Sequence, residues 1–87
     1  MKIREGFILR KVGGQYIVAA TGSASKEFNG MIRLNASSAF VFDLLKTEIT
    51  RDEIVQKLME EYAVDAQTAG VDVDRFLAAM KEAGAIV

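Results

Sequence analysis

The stretch "MIRLNASSAFVFDLL", residues 31–45, changes period part-way along. From Met31 to Leu34 the apolar Ile32 and Leu34 alternate around Arg33, the period of two that marks a strand with one buried face. Beyond it, Ala36, Ala39, Phe42 and Leu45 recur at helical spacing, with Val41 and Leu44 beside them. Asn35 stands at the change. Its side-chain oxygen can accept from an otherwise unpaired N–H of a first helical turn, so it ends the strand and opens the helix. A helix apolar over so much of its circumference belongs at the centre of a core, and both Phe40 and Phe42 are expected there.

Towards the N-terminus, "GFILRKV" and "QYIVAA" are rich in β-branched and aromatic residues and are separated by Gly13 and Gly14. Such a pair predicts a hairpin, with strands over 7–12 and 15–20, because a tight primed turn needs positive φ. The segment "TGSASKEFNG", residues 21–30, is a polar loop whose Asn-Gly pair makes a turn, and Met31 to Leu34 form a third strand. Downstream, "TRDE" places Thr50 and Glu53 at capping-box spacing. Ile54, Val55, Leu58, Met59 and Tyr62 mark the buried side of a helix over 51–62. "AVDAQTAG", residues 63–70, reads as a short connection with Asp65 as a cap. Val73, Phe76, Leu77 and Met80 follow at i, i+3, i+4 and i+7 on a last helix that stops at Gly84, before an apolar tail. The expected fold is α+β and winged-helix-like: one domain over residues 1–87, a three-stranded antiparallel sheet followed by three helices.

Composition narrows the chemistry. The 87 residues are 51% hydrophobic and 26% charged, as in an ordinary globular domain, with neither cysteine nor histidine. Disulfides, thiolate metal sites and every Ser-His or Cys-His pair are therefore excluded, and zinc with them. No glycine-rich phosphate loop occurs. An enzyme is not expected, nor is any metal or cofactor. No apolar run approaches the roughly 18 residues of a membrane span, and the charges around "FIL" are unlike a signal peptide, so a cytoplasmic protein away from membranes is expected. The net charge of −1 conceals an asymmetry: residues 1–34 hold six Lys/Arg against two Asp/Glu, and residues 35–87 hold five against ten.

Residues 32–87 carry a more specific pattern. A strand ending in "LN", a helix with "EI..KL...Y.V" and a helix with "DV..FL..M...G.I" occur in that order. In this the chain resembles the PqqD family and the related recognition elements of enzymes that modify ribosomally made peptides (RiPPs). It departs from the family pattern after the first helix, where Lys46, Thr47 and Glu48 replace a common Asp-Gly pair. The resemblance implies a non-catalytic module that binds the leader segment of a precursor peptide and presents the peptide to a modifying enzyme. It further implies that the leader adds as a strand along Met31, Ile32, Arg33 and Leu34, in a cleft closed by Asp72, Val73, Arg75, Phe76, Ala79 and Met80 of the last helix.

The same strand can be considered without the family. An unpaired edge offers N–H and C=O groups in a row, which an extended peptide can satisfy. The basic first third of the chain would attract an acidic leader. Several residues admit two readings: Met31 and Met80 suit an adaptable binding surface or a core, and Arg33 suits ligand contact or protection of an edge. Asp72, Asp74 and Arg75 could meet ligand, solvent or each other. Two other functions compete. A DNA-binding winged helix is opposed by residues 51–62, where Arg51 and Lys57 face four acids, so no nucleic-acid partner is expected. A self-pairing domain, a homodimer through the same edge, would block the peptide site.

Overall fold

Gly13 and Gly14 adopt φ of 57° and 80°, the two positive values that a two-residue primed turn requires. Around them β1 (Phe7–Val12) and β2 (Gln15–Ala20) pair antiparallel, from Val12 opposite Gln15 to Phe7 opposite Ala20. The computed structural model describes residues 1–26, 28 and 30–87, and in it β3 (Met31–Leu34) pairs antiparallel with the other side of β2. β2 is thus central, and β1 and β3 are edges. All three strands have the bounds expected from the sequence. The connection to β3 contains a 3₁₀ turn, Gly22–Lys26, that buries Ala24, and Phe28 sets its ring 6.1 Å from that of Phe7. Glu27 and Asn29, and with Asn29 half of the expected Asn-Gly turn, lie outside the described residues.

Strand alternation divides the sheet into two faces. Phe7, Leu9, Val18, Ala20, Ile32 and Leu34 share the face that packs on the helices. Ile8, Arg10, Val12, Ile17, Ala19, Met31 and Arg33 share the other.

Each helix starts where a side chain relieves its unpaired N–H groups. Asn35 Oδ1 accepts from the Ser38 N–H at 2.8 Å and opens α1 (Ala36–Leu44). The Thr50 and Glu53 capping box opens α2 (Arg51–Tyr62): Glu53 N–H donates to Thr50 Oγ1 at 3.2 Å, and Thr50 N–H to Glu53 Oε1 at 3.1 Å. Asp65 Oδ1 accepts from Thr68 N–H at 2.7 Å and opens α3 (Ala66–Glu82). Asp65 is the cap expected from the sequence, but the connection is shorter than residues 63–70, since Ala66 to Gly70 are helical. Gly70 is a spacer within α3. A Cβ there would come within 3.1 Å of Arg51 Nη2, and this guanidinium crosses from α2 to hold both Asp74 oxygens, at 2.6 and 2.9 Å.

The apolar tail is not loose. Gly84, with φ of 74°, donates to the Lys81 carbonyl and Ala85 to that of Met80, a Schellman closure of α3. The chain then meets its own beginning: Ile3 bridges Ile86, Arg4 N–H donates to Ala85 O at 2.7 Å, and Ile3 N–H donates to Leu45 O at 2.8 Å. The core these elements enclose holds Val18, Val41, Phe42, Leu45, Ile54, Leu58, Val73 and Met80 fully buried. Phe42 is central as expected. Phe40 sits at the core's rim, half-buried, edge-on to Tyr62 at 5.8 Å.

Candidate functional site

The period change at Asn35 has a spatial consequence. Because the chain leaves β3 directly into α1, no connecting loop folds back over the strand, and among the described residues no strand pairs with β3 on the side away from β2. Its outward N–H and C=O groups border a cleft of about 180 Å³. One wall is Ile32, Arg33 and Leu34; the end is Asn35, Ser37 and Ser38; the opposite wall is Asp72, Arg75, Phe76 and Ala79 of α3. These four α3 residues fall at i, i+3, i+4 and i+7, one face of the helix.

The cleft is apolar at its base and charged at its rim. Ile32 and Leu34 are half-buried on the core face of the sheet, and Phe76, 5% exposed, spans core and cleft. Ala79 is small, which leaves the space between the strand and helix walls open. Arg33 borders the cleft, although strand alternation starts its side chain from the opposite face. Arg33, Asp72 and Arg75 make no ion pair among the described residues, so their charges remain available. Asp74 differs from them: hydrogen bonds from the Arg51 guanidinium hold its carboxyl below the usual range and raise Arg51 in turn. Asp74 therefore ties α2 to α3.

Seven of the ten residues named from the sequence thus surround one cleft: Ile32, Arg33, Leu34, Asp72, Arg75, Phe76 and Ala79. Three do not. Val73 and Met80 are fully buried, because i, i+3 and i+4 spacing turns them with Leu77 into the core. Met31 is 73% exposed and lies on the outer face of the sheet, one residue out of phase with Ile32. Sequence reasoning passed over Asn35, Ser37 and Ser38 as lining residues. Their only signal was position: Asn35 Oδ1 accepts from the Ser37 hydroxyl at 2.9 Å as well as from Ser38 N–H, so the cap itself forms the end of the cleft. Among the described residues no acidic cluster suited to a metal ion occurs, and no helix is long and apolar enough to cross a membrane.

The family model described as Coenzyme PQQ synthesis protein D (PqqD) matches residues 7–86. The solved structure of TbiB1 in complex with the TbiA(beta) leader peptide superposes with a TM-score of 0.72 at 23% identity, over 94% of this chain and 90% of that one. A lasso peptide synthetase B1 complexed with the leader peptide also gives 0.72, at 19% identity, over 97% and 93%. At these identities the likeness establishes the shared fold. No curated protein matches the chain.

Proposed function

This chain belongs to the PqqD family, and from that membership we propose that it is a non-catalytic adaptor, binding the leader segment of a ribosomally made precursor peptide and presenting the peptide to a modifying enzyme. The observation that carries the reading is the unpaired edge of β3 lying beside an apolar-based cleft. The two similar structures, each holding a leader peptide, support it.

The leader would add as a fourth strand. In an antiparallel pair, alternate residues direct both N–H and C=O to the same neighbour, so the four residues of β3 offer the leader about four main-chain hydrogen bonds. At about 0.5–1.5 kcal/mol net each, these fall short of the roughly 8 kcal/mol of a micromolar complex. Side chains must supply the remainder. Inward-facing leader residues would lie over Phe76 and Ala79 and lose apolar surface to water. Acidic leader residues would meet the unpaired Arg33 and Arg75. Register then follows from spacing: apolar side chains at alternate positions, with carboxylates near the two arginines.

We assign this role to a single domain over residues 1–87, winged-helix-like and working in the cytoplasm without metal, cofactor, nucleic acid or membrane. Against DNA, the exposed side of α2 sets Asp52, Glu53 and Glu60 around Lys57, which would repel phosphates.

Leader segments of small precursor peptides encoded near the gene provide the test. Fluorescence anisotropy should show saturable binding to the wild type. Ala79→Trp, a change at an exposed site that fills the cleft, should weaken it at least tenfold without unfolding the protein. Undiminished binding to Ala79→Trp would place the leader elsewhere.

A further inference from the structure

The face of the sheet turned away from the helices is a surface that leader binding leaves unexplained. Cross-strand register aligns Ile8, Ala19 and Met31 in one row and Arg10, Ile17 and Arg33 in the next. All of these but Arg33, together with Val12 and Thr21, surround a shallow depression of about 300 Å³. Val12 is 58% exposed and Met31 73%, while Ile8 and Ile17 take no part in the core. The pattern is an apolar row beside one that carries Arg10 and Arg33, with no carboxylate on the face among the described residues. Met and Arg are enriched at protein interfaces, where acids are depleted.

We propose that this outer face docks the peptide-modifying enzyme, through an apolar patch on the enzyme bordered by carboxylates. The proposal rests on the adaptor reading for the enzyme's identity, and on charge for its chemistry. A second copy of this chain is a poor occupant: isologous pairing would bring Arg10 and Arg33 against their own copies, with no carboxylate among the described residues of the face to neutralise them. An acidic partner removes that conflict. Position also favours the enzyme. A leader added at β3 would lie beside Met31 and Arg33, and its outward side chains would continue this face. The enzyme would then meet adaptor and substrate on one surface, while the cleft holds the leader's inward side.

The experiment uses the full chain, the purified modifying enzyme encoded beside its gene, and the cognate leader. Arg10→Glu and Val12→Asp alter exposed positions of β1, the strand farthest from the cleft. Each should weaken enzyme binding at least tenfold and leave leader affinity within twofold. Val12→Ser, which only removes apolar surface, should weaken enzyme binding in the same direction. High salt should weaken the wild-type complex and shrink the effect of Arg10→Glu. Enzyme binding unchanged in the two charge variants would overturn the proposal, as would a wild type that fails to bind the enzyme or that dimerises through this face. Loss of the adaptor reading registers separately, as a wild type that binds no leader.

Discussion

At Ala63 an alanine holds backbone that suits glycine, with φ of 51° at the end of α2. The left-handed region crowds Cβ against the carbonyl, so Ala63→Gly should stabilise the protein by about 0.5–1 kcal/mol. Thermal unfolding should report a Tm higher by roughly 2–8 °C for a domain of this size. Gly6 is the reverse case. Its φ is 100°, and a Cβ would come within 2.8 Å of Ala24 Cβ and 3.0 Å of the Thr21 carbonyl oxygen. Its own carbonyl accepts from both the N–H and the hydroxyl of Thr21. Gly6→Ala should therefore destabilise by at least about 2 kcal/mol, measurable by urea titration. Neither position was legible in the sequence: Ala63 has an ordinary helix former's identity, and the neighbours of Gly6 are set by tertiary packing.

Among the elements, those with strong local signals were legible. The Gly13-Gly14 turn, the Asn35 junction and the Thr50/Glu53 box each act within a few residues, and the strands and α2 fall where those signals put them. The start of α3 was legible in its cap, Asp65, whereas the helical state of Ala66 to Gly70 was not, because Gly70 is accommodated by Arg51, nineteen positions earlier. The division of Val73, Phe76, Leu77 and Met80 between core and cleft likewise depends on how α3 rolls against the sheet, which periodicity alone does not state. The Met31 side chain falls outside the cleft for a simpler reason: a strand's neighbours in sequence face opposite ways, so it starts from the outer face while its backbone stays in the edge strand.

The helix caps and the α2–α3 bridge also carry a pH signature. Asp74 is lowered by hydrogen bonds from Arg51, Glu53 by the backbone N–H of Thr50, and Asp65 by that of Thr68. Because each folded value lies below the ordinary one, the associated stability is complete above the ordinary carboxylate range and disappears as pH falls through the lowered values. The urea midpoint should hold level from neutrality down to that range and then decline. Asp74→Asn should make the decline shallower; an unaltered acid limb would show that the α2–α3 bridge contributes nothing.

Taken whole, the molecule keeps one edge of its sheet open beside a helix, with the core on one side and a cationic apolar face on the other. A domain of 87 residues has a total stability of only about 4–13 kcal/mol. A ligand that binds the folded state is therefore conspicuous. Leader at a hundredfold excess over its Kd should add about 2.7 kcal/mol and raise Tm by roughly 10–20 °C. Self-pairing through β3 would occupy the same edge, so any dimer built that way should dissociate as leader is added.

Strand addition at β3 is tested most directly by NMR of the labelled protein with its leader. Cross-strand contacts between leader backbone protons and those of residues 31–34 are expected, with slowed exchange of the edge amides and shifts at Asp72, Arg75, Phe76 and Ala79. A bound leader without cross-strand contacts to residues 31–34 would contradict strand addition.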